Sequence, residues 1–70
     1  MKVRKLIGHI MVETEMTVPE FAKSIGYNKV NVYAVINGNS RSTVIRQKIS
    51  DAVRIPVSDI WPELAEVREH

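Results

Sequence analysis

Cysteine is absent from the 70-residue sequence. A small domain without thiols has neither a disulfide framework nor a thiolate-bound metal to hold it together. Long apolar runs are absent too, since none approaches the roughly 20 residues that span a bilayer. The segment from Met1 to Met11 also lacks the small-residue cleavage site of a signal peptide. We therefore expect a cytoplasmic protein, outside the membrane, that is stabilised by helix packing.

Groups that could carry catalysis are scarce. The chain has only two histidines, His9 and His70, and no nucleophile has a base at a suggestive spacing. Asp51 and Asp59 are better explained as a helix-face charge and a turn residue, and the sequence shows neither a metal-ligand cluster nor a glycine-rich phosphate loop. We expect no enzymatic activity, no cofactor and no small-molecule ligand.

The composition is that of one globular domain. Apolar residues make up 44% of the chain and charged residues 26%, which is too apolar for intrinsic disorder. A chain this short has room for one modest core. We expect a single domain over residues 1–70, with its core between about 3 and 61 and a tail over 62–70.

Acidic residues are missing from the middle of the chain. Five cations and no acid lie between Glu20 and Asp51, whereas the segment from Asp59 to His70 has four acids against Arg68. The cations are Lys23, Lys29, Arg41, Arg46 and Lys48. Because the net charge is only +2, this segregation is more informative than the sum. A chance excess of lysine on a solvated face would give the same count, but the stretch coincides with a motif.

Helical spacing of apolar residues predicts the first two helices. The first stripe consists of Val3, Leu6, Ile7, Ile10 and Met11, and the second of Val18, Phe21, Ala22 and Ile25. Gly8 inside the first stripe marks either a close helix crossing or nothing. Thr17 and Glu20 form a T-x-x-E capping box at the start of the second helix, and Gly26 is suited to its end.

Residues Asn28 to Asn37 leave two alternatives open. They are rich in strand formers and are followed by Asn37-Gly38, a hairpin turn signal, so a β-hairpin is one possibility. Against it, Val32, Val35 and Ile36 fit a helix stripe, and no other segment offers a partner strand. We predict a third helix.

The remaining residues predict one further helix, a short turn and a tail. Ser42 is suited to an N-cap, and the buried stripe of the fourth helix consists of Ile45, Ile49, Ala52 and Val53. Pro56 follows its end, and Val57 to Trp61 forms a short turn packed through Ile60 and Trp61. The segment from Glu63 to His70 is either a frayed helix or an amphipathic partner segment built on Leu64 and Val67.

Small and apolar residues stand where two helices joined by a short glycine turn must share a core. Ala22, Gly26, Val32, Val35 and Asn37-Gly38 occur in order at fixed spacing. This pattern resembles the lambda-repressor and Cro-like helix-turn-helix family, also called the xenobiotic-response-element family, over about Leu6 to Trp61. The closing Ile60-Trp61-Pro62 is weakly similar to small phage Ner-type regulators. The resemblance implies an all-α fold of four to five short helices.

The resemblance also implies a site. The third helix would be a recognition helix in the major groove, reading bases through its outward residues Asn28, Lys29, Val30, Tyr33 and Ala34. Asn28 could equally cap the helix, and Tyr33 could contact a phosphate or a protein instead. The expected phosphate contacts are Thr17, Lys23, Asn37, Arg41, Arg46 and Lys48. One departure is Val18, which stands where many members have a phosphate-gripping glutamine, and Thr17 is the suggested substitute.

These observations, with the resemblance, predict sequence-specific binding of double-stranded DNA by a small phage-type or bacterial transcriptional regulator, a repressor or an activator. Because one such domain reads only a few base pairs, we expect a homodimer on DNA. The alternative is a module for protein partners, antitoxin-like or otherwise, on the same scaffold. Salt dependence separates the two, since only DNA binding through several cations weakens steeply with salt.

Overall fold

The computed structural model describes residues 1–62, which form five α-helices and no strand. The helices are α1 (Val3–Thr14), α2 (Val18–Ser24), α3 (Lys29–Ile36), α4 (Thr43–Val53) and α5 (Val57–Ile60). The all-helical prediction is confirmed for these residues, and the hairpin alternative is wrong. The predictions made for Glu63 to His70 lie outside the described residues.

Helix α1 buries a narrower stripe than its sequence predicts. Leu6 and Ile10 are fully buried, and Val3 and Ile7 pack against the core from partly buried positions. Met11, the last residue of the predicted stripe, is 47% exposed, so this part of the prediction is wrong. The helix ends at Thr14, and the left-handed conformation of its C-cap Glu15 turns the chain toward α2.

Gly8 serves no close helix crossing within residues 1–62 of a single chain. A β-carbon built at this position would meet nothing within 4 Å, and the residue lies in the interior of α1. Alanine loses less backbone entropy than glycine on entering a helix. We therefore expect Gly8→Ala to raise the free energy of unfolding by about 0.5–1 kcal/mol, measured by urea denaturation. Destabilisation by this variant would show that the space beside Gly8 is needed.

Capping side chains begin the next helices where the sequence predicts them. The Thr17 hydroxyl accepts a hydrogen bond from the Glu20 amide, and the Glu20 carboxylate accepts one from the Thr17 amide, so the capping box is present. The Asn28 carboxamide oxygen caps α3, and the Ser42 hydroxyl caps α4. These bonds satisfy amides that have no partner within their own helix.

Two glycines end α2 and α3 in the same way. Gly26 (φ 80°) and Gly38 (φ 83°) are both left-handed, a conformation that side-chain-bearing residues rarely adopt. After α2, the Tyr27 amide donates to the Ala22 carbonyl and the Gly26 amide to the Lys23 carbonyl. This pair of bonds is the Schellman arrangement, and it fixes the four-residue connection between α2 and α3. The glycine predicted to end the second helix therefore does so.

The core lies between all five helices and is closed by Trp61. Its buried apolar residues are Leu6, Ile10, Val18, Phe21, Ala22, Val32, Val35, Ile36, Ile45, Ile49, Val53, Ile60 and Trp61. Helix α1 packs most extensively on α4, and α2 packs on α3. The Trp61 indole N–H donates to the Val35 carbonyl at 3.2 Å, which ties the end of α5 to the back of α3.

Candidate nucleic-acid interface

Helix α3 presents one buried face and one exposed face. Val32 and Val35 are 0% exposed and Ile36 is 4% exposed, which confirms the predicted inward stripe. On the other side, the first turn is open to solvent at Lys29, Val30 and Asn31. Because the buried face is held by α2, by the core and by Trp61, the open turn is carried on a rigid support. We call Lys29, Val30 and Asn31 the reading turn.

Asn31 is a residue that sequence reasoning missed. Its side chain is exposed between Val30 and the buried Val32. At 100° per residue, Asn31 lies about 90° from the centre of the buried stripe on one flank, and Lys29 lies about 65° from it on the opposite flank. The helical period could therefore have found it. Asparagine is also one of the side chains that can pair with a base edge in two places.

Three of the predicted base contacts are less available than expected. The Asn28 oxygen accepts the Val30 amide at 2.7 Å, so the capping role proposed as an alternative is present. Tyr33 and Ala34 are only partly exposed, and Tyr33 packs against the core. The open surface of α3 is thus confined to its first turn, and substitutions of Tyr33 would disturb packing as well as any contact.

Lys23 and Arg41 precede and follow α3 in the chain. Lys23 is exposed in the last turn of α2, just before the connection to α3. Arg41 is exposed in the segment after α3, which returns to that helix because the Asn39 and Ser40 amides both donate to the Ala34 carbonyl. Neither cation has an ion-pair partner within residues 1–62. Both charges therefore remain available to phosphate.

Asn37 and Lys48 differ in their surroundings. Asn37 is the exposed C-cap of α3, near Arg41 in the chain. Lys48 is exposed on the outer side of α4, where it lines an open groove with Val44 and Asp51. A neighbouring carboxylate opposes the approach of phosphate. The structure therefore supports Asn37 more than Lys48 as a phosphate contact.

Arg46 does not belong with these exposed cations. It is 2% exposed, and its guanidinium carbon lies 4.9 Å from the centre of the Trp61 ring. A cation over an indole face is attracted by the ring electrons, and more strongly where water is excluded. A phosphate could reach Arg46 only by displacing this packing. We therefore correct the sequence prediction and place Arg46 in the core.

Thr17 is also removed from the predicted phosphate contacts. Its amide and hydroxyl donate to the Glu20 carboxylate at 2.9 and 3.0 Å, and its hydroxyl oxygen accepts the Glu20 amide at 3.3 Å. The start of α2 thus already holds an anionic group. Since like charges repel, this carboxylate disfavours a phosphate at the same place. The Thr17 hydroxyl, the suggested phosphate contact beside Val18, is therefore already engaged at this helix end.

The same bonds make helix α2 sensitive to acid. The Thr17 amide, and then its hydroxyl, hold the pKa of the Glu20 carboxyl below its ordinary value of 4.5. A pKa that is lowered in the folded state contributes stability above the unfolded-state pKa and loses it as pH falls through the folded-state pKa. We expect wild type to be more stable than Glu20→Gln at neutral pH, and the difference to shrink as pH falls below the ordinary value of 4.5. Urea unfolding over this pH range measures the difference, and a constant value would contradict the prediction.

Comparisons of the chain with family models, with curated proteins and with solved structures found no match in any of the three. Within residues 1–62, no helix is both long and apolar enough to cross a membrane.

Proposed function

We propose that the protein binds double-stranded DNA sequence-specifically by inserting the first turn of α3 into the major groove. The observation that carries this proposal is the reading turn, Lys29 to Asn31, which is exposed on a helix whose opposite face is buried. A major groove is wide enough to admit an α-helix, and each base pair presents a distinct pattern there. The proposed role is that of a transcriptional regulator of the Cro-like helix-turn-helix kind.

The three side chains of the reading turn suit three kinds of base edge. The Lys29 ammonium can donate to the O6 and N7 acceptors of guanine, and the Asn31 carboxamide can pair with N6 and N7 of adenine. Val30 is 65% exposed and has no polar atom, which suits the methyl group of thymine. A mixed set of this kind reads sequence, whereas phosphate contacts alone would not.

Phosphate contacts would come from both ends of α3. Lys23 precedes the helix, and Asn37 and Arg41 follow it, so the backbone can be held on either side of the groove. Such contacts fix the register of a helix in the groove and supply most of the salt-dependent affinity. Because one short helix reads few base pairs, two domains on two half-sites give the specificity that a regulator needs.

Selection of bound sequences from random duplexes tests the proposal. We expect a common half-site to be enriched, with a symmetric repeat about 10 base pairs away if two domains bind together. Repeating the selection at two salt concentrations separates base reading from phosphate attraction, since only the latter weakens steeply with salt. Failure to enrich any sequence at either salt concentration would overturn the proposal.

Replacing thymine by uracil in the selected half-site tests the contact assigned to Val30. The change removes one methyl group, whose burial is worth about 0.8 kcal/mol, so wild-type affinity should fall about fourfold. Val30→Ala should bind the thymine site about as weakly and lose nothing further on uracil. Fluorescence anisotropy measures the affinity of each protein for each of the two sites. The four values give the coupling energy between Val30 and the thymine methyl group. If the two losses are additive, Val30 does not touch a thymine methyl.

Binding of a protein partner is the second candidate, and the exposed apolar side chains favour it. Val30 and Val44 are 65% and 50% exposed, and an apolar interface could cover either of them. Exposed single valines are nonetheless common on protein surfaces. A partner that binds through them would show little response to salt and would not require DNA.

A further inference from the structure

The outer side of α1 is an exposed helix face of mixed character. It consists of Lys5, Gly8, His9, Val12 and Glu13, which line one open groove. Their spacing of three and four residues places them on one side of the helix. Val12 is 76% exposed, more than any other large apolar side chain among residues 1–62. We call these five residues the α1 outer face.

The charges of this face are placed against the preference of their own helix. Lys5 lies in the first turn of α1 and Glu13 in the last, and α1 has no acid in its first turn and no base in its last. A helix dipole favours the opposite arrangement, with acids at the start and bases at the end. Neither charge is therefore stabilised by the dipole of the helix that carries it.

We propose that the α1 outer face is a self-association surface, occupied by the same face of a second copy of this chain. Two copies of α1 packed antiparallel about a two-fold axis at His9 bring residue i opposite residue 18 − i. Lys5 of each copy then faces Glu13 of the other. The dimer thus contains two identical pairs of opposite charges, one on each side of the two-fold axis. Such self-complementarity is typical of isologous dimers.

The apolar part of the face fits the same arrangement. With a rise of 1.5 Å per residue, Val12 lies about 4.5 Å from His9 along the helix axis. In the same direction from the two-fold axis, Gly8 and Lys5 of the second copy lie at about 1.5 and 6 Å. Val12 therefore comes between them. A β-carbon at Gly8 would meet nothing within 4 Å, so the position is an open gap on the surface of one copy. The valine of the other copy fills it.

The size of the surface sets the strength of the dimer. One pair of short helix faces buries less than the roughly 1,200 Å² of a stable interface, so the free protein associates weakly. Two domains held on neighbouring half-sites would have a high local concentration, which favours pairing where the spacing of the half-sites lets the two faces meet. The inference itself does not depend on DNA binding, because association can be measured without DNA.

Charge reversal tests the pairing by sedimentation equilibrium of the whole chain at concentrations up to about 1 mM. Wild type should form dimers, and Lys5→Glu or Glu13→Lys alone should weaken them at least about tenfold, since each variant sets two like-charged pairs against each other. Both variants improve the match to the helix dipole, so their loss of association cannot be assigned to unfolding.

An equimolar mixture of the two variants should restore dimers. The carboxylate introduced at position 5 of one copy would face the ammonium introduced at position 13 of the other, and the two remaining native charges would face each other. Lys5→Glu combined with Glu13→Lys in one chain should restore dimers too. Val12→Ala, which favours the helix, should weaken association without lowering helix content. Arg54→Glu and Glu15→Lys, at exposed positions off the face, are the matched controls and should associate like wild type.

Three results of these experiments would contradict the proposed self-association. The proposal fails if wild type stays monomeric throughout, if the single variants associate as well as wild type, or if their mixture does not recover. A protein that enriches a DNA half-site but fails these tests would keep the proposed function and lose this surface. A protein that passes these tests without binding DNA would keep this surface and lose the proposed function.

Discussion

Trp61→Ala is expected to lower the free energy of unfolding by about 3–5 kcal/mol, the usual cost of removing a buried indole. Trp61 is 4% exposed and lies against the buried apolar residues of the other helices. A domain of this size has a total stability of only about 4–10 kcal/mol. The variant should therefore lose a large share of its folded population at 37 °C, seen as a lower helical signal in circular dichroism.

Two further contacts of Trp61 add to this cost. Its indole N–H donates to the Val35 carbonyl, and the Arg46 guanidinium packs on its ring. Alanine would leave a buried cation without the aromatic surface beside it, and uncovered buried charges are costly. The same substitution would also release the C-terminal part of α3 from the end of α5.

Trp61→Phe is the matched control. Phenylalanine keeps an aromatic ring beneath Arg46 and removes the indole N–H, while the Val35 carbonyl still accepts the Gly38 amide at 3.1 Å. We expect a loss of about 1–2 kcal/mol, well below that of the alanine variant. If Trp61→Ala unfolds in urea within about 1 kcal/mol of wild type, Trp61 does not close the core as the structure indicates.

The importance of Trp61 could be predicted only in part from the sequence. The pairing of Ile60 and Trp61 predicts a buried turn, because two bulky apolar residues beside Pro62 need a core. The contacts with Val35 and Arg46 join residues 26 and 15 positions apart. Local periodicity carries no information at such separations, so Arg46 was predicted to be one more exposed cation of a basic stretch.

Short sequence motifs predicted the bounds of a helix best where a separate motif marked each end. The Thr17–Glu20 capping box and Gly26 each predict one end of α2, and the structure has both. Helix α3 was harder, since its composition favours a strand and only the spacing of Val32, Val35 and Ile36 favours a helix. Burial against the other helices decides between them, because an isolated pair of strands is barely stable in water.

The candidate site was predicted less well than the fold for a similar reason. A side chain on a helix is exposed or buried according to its neighbours, and the sequence does not name them. The reading turn therefore gained Asn31, whereas Tyr33 and Ala34 proved partly covered. Thr17 was excluded by a local bond to Glu20, which the capping box itself predicts. That conflict between capping and phosphate binding could have been seen beforehand.

The affinity of the protein for DNA is expected to fall steeply as the salt concentration rises. With Lys23 and Arg41 on phosphates, the logarithm of the association constant should fall with the logarithm of salt concentration at a slope of about −1.8 per domain. A rise from about 50 to 200 mM salt then weakens binding about 12-fold. Fluorescence anisotropy on a duplex with one half-site measures the slope without a contribution from pairing of two domains.

Substitution of one cation at a time shows how much each residue contributes to this salt dependence. Arg41→Gln should reduce its magnitude by about 0.9, because one phosphate contact and its released counterion are lost. Lys48→Gln makes the same change of charge on a face shared with Asp51, so we expect less than half that reduction. Equal effects of the two variants would place α4 on the DNA beside α3 and widen the interface to include it. A slope near zero in wild type would instead favour a protein partner, because an apolar surface around Val30 releases no counterions when it is covered.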